Sequence, residues 1–285
     1  MESDQLSAIY QARLNDAEFE KLSNFIYTNF GIKMPKEKQI MLQSRLQKRL
    51  KALKMKSYKE YIDYLFSKKG QVDEVINMID EVSTNKTDFF REPAHFEIIT
   101  KEILPHLIDP AIKYKKLKIW SAGCSTGEEV YTLAIVLCEA KRYFVNLDFE
   151  ILGTDISNKV LHHASQGIYK EDRVFNIPLE LKKKYFLKSK DPGNRLVRLT
   201  PAIRKHAKFE RLNFMDSSYH IKDNFDIIFC RNVLIYFDRD TQEKVINRLC
   251  RNLNPGGFFF LGHSESITGI DVPLIQIKPT FFRRK

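Results

Sequence analysis

The sequence predicts an α/β protein, a doubly wound sheet with a small antiparallel β insertion, preceded by a small all-α domain. From residue 116 onward, apolar runs of strand length alternate with helical patterns, which is typical of a parallel sheet with helices on both faces. Up to about residue 84 only helical patterns occur. Between the second and third apolar runs, an excess segment holds two short strand-like pieces around a turn, which indicates the insertion.

Composition limits the classes of protein that fit. The 285 residues are 43% hydrophobic and 12% aromatic, which is enough for one large and one small well-cored domain. No apolar run approaches the ~18 residues of a membrane span, and the first ten residues lack a signal-peptide pattern. We therefore expect a cytoplasmic protein without membrane insertion. The net charge of +11 indicates an acidic partner, whether nucleic acid, anionic lipid or an acidic protein surface.

Residues 1–84 are predicted to form the all-α domain, and residues 85–115 to link it to the larger domain through a linker and a helix. Four stretches have helical periodicity: Asp16–Phe30, Lys36–Lys54, Tyr58–Phe66 and Val72–Val82. Gly31 is the expected end of the first helix, because glycine tolerates the left-handed conformation common there.

Residues 116–285 are predicted to form the larger domain around five core strands. The strand-like runs are Lys116–Trp120, Phe149–Asp155, Lys208–Phe214, Phe225–Cys230 and Gly256–His263. Leu274–Ile277 and Thr280–Arg283 are expected to form a closing hairpin around Pro279. The antiparallel insertion is placed at about 169–206, with its turn at residues 191–194.

The stretch from Trp120 to Ile135 fits two patterns. Through Ser125 it matches the G-x-S-x-G elbow of serine hydrolases, and a triad of Ser125, Asp226 or Asp238, and His263 can be written. In hydrolases, however, several core strands precede the elbow, whereas one predicted strand precedes Ser125. The stretch is better interpreted as the first strand, turn and helix of a nucleotide-binding sheet, which binds ligands beyond the carboxyl ends of its strands.

Charge indicates which nucleotide would bind. Asp155 ends the second strand 28 residues after Gly127, close to where such folds place the acid that binds ribose hydroxyls. Glu128 and Glu129 begin the first helix and would repel a pyrophosphate, but they suit the ammonium and sulfonium groups of S-adenosylmethionine. An ordinary loop aspartate and two helix-favouring glutamates are the alternative interpretation. The four cysteines are widely spaced without C-x-x-C, so neither a zinc site nor a disulfide framework is indicated, and no metal is expected.

Four stretches together resemble the CheR-type chemotaxis receptor methyltransferases: Asn85–Glu92, Trp120–Ile135, Phe225–Asp238 and Gly256–Ser266. The resemblance extends over nearly the whole chain, although the pair Gly123-Cys124 departs from it. It implies a Rossmann-like S-adenosylmethionine-dependent methyltransferase fold. It also implies methyl transfer from S-adenosylmethionine to glutamate carboxylates of membrane chemoreceptors, which yields glutamate methyl esters and S-adenosylhomocysteine in chemotaxis adaptation.

The resemblance also implies the site residues. The cofactor contacts would be Asn85, Thr87, Arg91, Gly123, Glu129, Asp155, Asn213, Phe214, Arg231 and Asn232. A glutamate carboxylate is ionised at neutral pH, so the reaction needs no general base and depends on alignment. Arg91 and Tyr236 are predicted to hold that carboxylate, because a guanidinium can bind it through two hydrogen bonds and a phenol can donate to one oxygen. Loop caps for the asparagines and a core position for Tyr236 are the alternatives.

Substrate recognition is predicted on the second helix. Leu42, Leu46, Leu50 and Leu53 share one face of it, while Arg45, Lys48 and Lys51 share the opposite face. The resemblance implies that this basic face recognises the anionic receptor helices; simple solvation is the alternative. A receptor C-terminal tail could also bind the insertion, although residues 189–195 lack the glycine pattern of tail-binding members.

Two other functions share part of this evidence. A nucleic acid methyltransferase would share fold, cofactor and charge, but residues 231–237, RNVLIYF, lack the N-P-P-Y/F run that holds a target base. A non-catalytic S-adenosylmethionine-binding regulator would not need Arg91 and Tyr236. No nucleic acid partner is expected, and a monomer is predicted.

Overall fold

The computed structural model describes residues 9, 11–108, 116–191 and 193–285. Most of the first ten residues, the end of the predicted linker at 109–115, and Pro192 of the predicted turn lie outside the described residues. Within the described ranges, every helix is too short or too polar to cross a membrane.

The N-terminal domain has the predicted helices with one difference. Its helices are α1 (Asp16–Phe30), α2 (Gln39–Leu53), α3 (Tyr58–Leu65), α4 (Lys68–Asp73) and α5 (Val75–Val82). A capping box of Asn15 and Glu18 begins α1, and Gly31 at φ 71° ends it. The predicted helix Val72–Val82 is divided at Glu74, which is 1% exposed and accepts hydrogen bonds from Arg49 at 2.8 Å. A buried ion pair therefore lies where a continuous helix was predicted.

One apolar cluster holds the helical domain together. Leu42, Leu46 and Leu50 of α2 are fully buried and pack with Leu22 and Ile26 of α1. The predicted leucine stripe is thus the core face of α2. The basic residues Arg45 and Lys48 of α2 contact the end of α5.

The C-terminal domain is a seven-stranded mixed sheet, which confirms the predicted fold class. The helices before it are α6 (Ala94–Ile98) and α7 (Leu104–Leu107), joined by a π-helical turn at Ile99–Ile103. The strands of the large sheet are β1 (Leu117–Ala122), β2 (Phe149–Asp155), β6 (Ala207–Arg211), β7 (Phe225–Cys230), β8 (Leu253–Leu261), β9 (Leu274–Lys278) and β10 (Phe281–Arg284). Its main helices are α8 (Glu128–Ala140), α9 (Asn158–Gln166) and α12 (Arg239–Arg251).

The strand order fixes where a ligand can bind. The order is β6-β2-β1-β7-β8-β10-β9, with the first five strands parallel and the predicted hairpin β9–β10 added antiparallel. After β1 the chain moves to one side of the sheet, and it then returns to the other side with β7. The loops after β1 and β7 therefore separate at this switch point and leave a crevice at the carboxyl ends of the strands.

The insertion is a separate antiparallel sheet with one strand more than predicted. Its strands β3 (Ile168–Lys170), β4 (Phe186–Lys188) and β5 (Leu196–Leu199) have the order β3-β5-β4. The short helices α10 (Leu179–Tyr185) and α11 (Pro201–Arg204) flank β4 and β5. The sequence did not indicate β3, which lies directly after α9 and was not separated from the helical pattern before it. The ring of Phe89 joins this sheet to the interdomain segment through edge contacts with Tyr169 and Phe186.

Candidate functional site

A cavity of about 350 Å³ lies at the switch point, between the ends of the sheet strands and the helical domain. This volume is within the range typical of small-molecule sites. Phe30, Ile32, Met34, Lys38 and Met41 line it from the N-terminal domain. All ten predicted cofactor contacts and Tyr236 line it as well: Asn85, Thr87, Arg91, Gly123, Glu129, Asp155, Asn213, Phe214, Arg231, Asn232 and Tyr236.

Glycine is required in the turn after β1 for two reasons. Gly123 has φ 87°, and a Cβ atom there would lie 2.4 Å from Cγ2 of Val233 in the loop after β7. The amides of Gly123 and Cys124 both donate to the carbonyl oxygen of Thr154, at 2.8 and 2.9 Å. The turn is therefore fixed between β2 and the β7 loop.

Asp155 braces that turn from the end of β2. Its side chain is 8% exposed; Oδ2 accepts from the amide of Ser125 at 2.9 Å, and Oδ1 accepts from the amide of Ser157 at 3.0 Å. Burial raises the pKa of Asp155, although the backbone hydrogen bonds oppose that change. Because a carboxylate can accept about four hydrogen bonds in all, Asp155 retains capacity for a ligand hydroxyl.

The surroundings of Ser125 do not form a hydrolase triad. Its Oγ donates to the carbonyl oxygen of Asn85 at 2.9 Å, which links the turn to the interdomain segment. Asp226 is near the amino end of β7, where it accepts from the amide of Lys118 at 3.0 Å. Since Ser125 follows the carboxyl end of the parallel strand β1, it and Asp226 lie at opposite edges of the sheet. The nucleotide-turn interpretation is the one that the geometry supports.

Arg231 connects three parts of the site. The residue is 7% exposed; its Nε donates to Oε2 of Glu129 at 2.7 Å, and Nη1 donates to the carbonyl oxygen of Arg91 at 2.9 Å. Nη1 also contacts Oε2 of Glu92 at 3.3 Å, and the guanidinium lies over the ring of Phe96. Arg231 lines the cavity as predicted, but these two nitrogens are directed at protein acceptors.

The two glutamates at the start of α8 have different positions. Glu129 lines the cavity, where it accepts from Oγ of Ser121 at 2.7 Å and from Arg231. Glu128 is buried outside the cavity lining and pairs with Arg173 at 2.9 Å. Only one of the two carboxylates considered for a cationic ligand can therefore contact it.

A group of Glu92, His95 and His263 stands beside Arg231, and among the described residues it is the one whose ligand atoms come close enough to coordinate a metal. However, Nδ1 of His95 accepts from Nη1 of Arg231 at 3.0 Å, so a guanidinium already occupies this position. Burial, followed by the positive charge of Arg231, lowers the pKa of His95 to about 4. The guanidinium of Arg231 thus takes the place that a metal ion would have beside Glu92 and His95.

The helical domain contacts the cavity loops directly. Nδ2 of Asn213 donates to the carbonyl oxygen of Asn29 at 2.9 Å, and the amide of Lys33 donates to the carbonyl oxygen of Tyr236 at 3.0 Å. A Cβ atom at Gly31 would lie 2.8 Å from Sδ of Met215, so glycine permits this close approach. The predicted cofactor residue Asn213 therefore also attaches the domain that covers the cavity.

The predicted recognition residues lie outside the cavity lining, and two of them have intramolecular partners. Arg45 is half-buried and donates to the carbonyl oxygens of Val82 and Ser83. Lys48 is exposed and pairs with Glu81 at 3.0 Å, while Lys51 is exposed. Simple solvation, the alternative for this basic face, is therefore wrong for Arg45 and Lys48, which contact α5 beside α2.

Sequence reasoning missed several site residues, three of which carry charge. Lys38 and Lys86 line the cavity. Glu265 is buried and accepts hydrogen bonds from the loop that carries Asn232 and Tyr236. Glu265 falls within Gly256–Ser266, one of the four stretches that resemble the family, but no feature of the sequence indicates which way its side chain points.

The donor set of the cavity fits S-adenosylmethionine. Asp155 can accept from hydroxyls, Glu129 places a carboxylate at the cavity although Arg231 pairs with it, and Phe214 offers an apolar wall. A switch-point cavity of this kind, in a parallel sheet extended by an antiparallel hairpin, defines a Rossmann-like S-adenosylmethionine-dependent methyltransferase.

Comparison with known proteins identifies the family. Residues 85–281 match the model described as "CheR methyltransferase, SAM binding domain", and residues 17–83 match "CheR methyltransferase, all-alpha domain". The chain belongs to the CheR methyltransferase family.

Similar curated proteins match this chain over most of its length and most of their own. The chain is 39% identical over 270 residues to a chemotaxis protein methyltransferase of Borreliella burgdorferi, with 94% of each chain covered. It is 36% identical to chemotaxis protein methyltransferase 2 of Pseudomonas aeruginosa, covering 87% of this chain and 86% of that protein. The corresponding Escherichia coli enzyme is 34% identical, covering 90% of this chain and 87% of that protein.

Proposed function

We propose that this methyltransferase acts on glutamate side chains of membrane chemoreceptors and converts their carboxylates to methyl esters in chemotaxis adaptation. The observation that carries the proposal is that Arg91 and Tyr236 line the same cavity as the cofactor residues. Lys38 and Lys86 add positive charge to that lining. An anionic target would be attracted there. The names of the curated relatives, which are chemotaxis protein methyltransferases, support the same pathway.

The chemistry requires that two groups be aligned. S-adenosylmethionine, when bound, supplies an electrophilic methyl group. Nη1 of Arg91 donates to the carbonyl oxygen of Lys86 at 3.2 Å, which restrains the guanidinium at the cavity. Arg91 and the phenol of Tyr236 would orient the ionised target carboxylate, and such orientation can lower a barrier by roughly 7 to 11 kcal/mol.

The proposal is tested by incubating the protein with methyl-labelled S-adenosylmethionine and receptor-bearing membranes. We expect label in the receptor band and its release as methanol in mild base, because carboxyl esters are base-labile. Boiled protein is the control. Base-stable label, or label in added DNA or RNA in place of receptor, would contradict the proposed substrate.

Tyr236→Phe is expected to slow methyl transfer about tenfold while cofactor affinity is unchanged. The substitution removes one hydrogen bond to a charged group, which contributes about 1.5 kcal/mol at the lower end of its range. Single-turnover kinetics give the rate and calorimetry gives the affinity. Tyr58→Phe, which removes a phenol bound to the carbonyl oxygen of Gln43 within the helical domain, is the matched control. Equal rates in wild type and Tyr236→Phe would exclude the phenol from catalysis.

Receptor docking is proposed along α2, with the basic residues Arg45, Lys48 and Lys51 as substrate contacts. Lys38 and Met41, just before and within α2, line the cavity, so the basic row extends from the cavity along the helix. An acidic receptor helix lying on this row would present a glutamate to the cavity. Arg45 donates to the carbonyl oxygen of Val82 at the end of α5. A test by charge reversal should therefore keep Arg45 unchanged.

Lys48→Glu combined with Lys51→Glu is expected to lower kcat/KM for receptor at least tenfold at low salt, with unchanged affinity for S-adenosylmethionine. The wild-type rate should fall as salt rises, because exposed charges are screened beyond ~8 to 10 Å at physiological ionic strength. The control is Lys68→Glu with Lys69→Glu, two exposed lysines on α4 of the same domain. Equal losses in both pairs would show that the effect depends on net charge alone.

A receptor C-terminal tail is proposed to bind the insertion as an added strand. β3 and β4 are the edges of its three-stranded sheet, and an edge strand can pair with an extended peptide. Titration of synthetic receptor tails, followed by calorimetry, should give saturable binding. The absence of binding at millimolar peptide would show that this protein engages its receptor without a tail.

A further inference from the structure

Glu265 lies just after β8 and is 8% exposed. Its two oxygens accept four backbone hydrogen bonds. Oε1 accepts from the amides of Val233 at 2.8 Å and Leu234 at 2.7 Å, and Oε2 accepts from those of Asn232 at 2.8 Å and Gly262 at 2.6 Å. One carboxylate therefore holds three consecutive amides of the loop after β7.

Backbone amides are what stabilise the charge of this carboxylate. Among the described residues, burial and four backbone amides act on Glu265, with no basic side chain beside them. Burial raises the pKa of Glu265, while its four amide donors oppose the rise. The arrangement resembles an anion bound at a helix N-terminus, where converging amides supply the positive field.

The held loop is in close contact with the end of β8. Asn232 has φ 60°, a left-handed value that asparagine adopts more readily than most residues other than glycine. A Cβ atom at Gly262 would lie 2.4 Å from Nδ2 of Asn232, so the ends of β7 and β8 are in direct contact. The short 3₁₀ turn Leu234–Tyr236 follows at once and brings Tyr236 to the cavity wall.

We propose that Glu265 is a positioning residue for methyl transfer: through the amides of residues 232–234 it holds Asn232 against the cofactor and Tyr236 against the target carboxylate. The part that concerns Tyr236 rests on the proposed function. The part that concerns Asn232 and cofactor affinity does not depend on the identity of the methyl acceptor.

Glu265→Gln is the first test, because it keeps the size of the side chain. An amide nitrogen cannot accept, so one pair of the four N–H donors loses its acceptor. We expect the affinity for S-adenosylmethionine, measured by calorimetry, to fall about tenfold. Single-turnover methylation of receptor at saturating cofactor should fall about tenfold as well.

Glu74→Gln is the matched control. Glu74 is also a buried carboxylate, but it is held by Arg49 and Tyr61 within the helical domain and is absent from the cavity lining. This variant should lose thermal stability while the folded protein keeps wild-type cofactor affinity and turnover. If Glu265→Gln behaves like Glu74→Gln, Glu265 is merely structural and the proposal is overturned.

A second variant covers the case in which Glu265→Gln does not fold. Glu265→Asp keeps both carboxylate oxygens and the charge, but the shorter side chain moves the carboxylate away from the amides by one methylene. The affinity for S-adenosylmethionine should therefore fall by less than tenfold. Wild-type affinity and turnover in a folded Glu265→Asp protein would also overturn the proposal. Failure of the wild type to methylate receptor would refute the proposed substrate instead, since the affinity measurements need no receptor.

Discussion

Arg231→Met is expected to lower the free energy of unfolding by about 3–5 kcal/mol and to abolish measurable cofactor binding. The substitution leaves the carboxylates of Glu129 and Glu92 without their shared cation, and removing one partner of a buried ion pair costs this much. It also releases the carbonyl oxygen of Arg91, which Nη1 of Arg231 holds at 2.9 Å. The interdomain segment and α8 would then lose their common anchor at the cavity.

Urea denaturation measures the first effect, and calorimetry with S-adenosylmethionine measures the second. Arg49→Met is the matched control, because it removes the partner of the buried Glu74 from the helical domain. We expect a comparable loss of stability there, with near wild-type affinity at temperatures where the protein remains folded. A stability of Arg231→Met within about 1 kcal/mol of wild type would show that the ion pairs do not have this structural role.

Elements with strong local signals could be predicted to the residue. β2 and β7 have the predicted bounds Phe149–Asp155 and Phe225–Cys230, because each holds a mainly apolar run of strand length that is followed by a change to polar residues. α1 also has its predicted bounds, since Gly31 supplies the left-handed residue that ends it. In these cases local sequence and tertiary environment favour the same structure.

Contacts between distant segments could not be predicted. Arg231 meets Glu92 across 139 residues, and Asn213 meets Asn29 across 184. Glu74 stands at the split between α4 and α5 and pairs with Arg49, a contact that the local helical pattern does not indicate. Likewise, the contact of Arg45 with the end of α5 depends on tertiary packing, which the helical pattern of α2 does not indicate.

In the site, the identity of the lining residues could be predicted, but their contacts with one another could not. Resemblance and strand order indicated which residues line the cavity, since the carboxyl ends of parallel strands converge there. What these residues do to one another was not visible in the sequence. Asp155 and Arg231 were predicted as ligand contacts, and in the structure both also brace the cavity wall. Substitutions at such positions must therefore be read for affinity and stability together.

Asp155→Ala is expected to weaken S-adenosylmethionine binding roughly ten- to hundredfold, because a lost hydrogen bond to a charged group is worth about 1.5 to 3 kcal/mol. It should also loosen the turn after β1, since the amide of Ser125 loses its acceptor. Calorimetry well below the unfolding temperature isolates the first effect from the second.

Ser157→Ala is the matched stability control for Asp155→Ala, because it lowers stability without removing the Asp155 carboxylate. Ser157 donates its amide to Asp155 and caps α9 through its side chain, so the variant should lose about 0.5–2 kcal/mol of stability while the carboxylate stays in place. If Asp155 binds the cofactor, affinity falls in Asp155→Ala and is retained in Ser157→Ala. If both variants keep wild-type affinity, the carboxylate of Asp155 only holds the turn, and the assignment of β2 to ribose recognition is wrong.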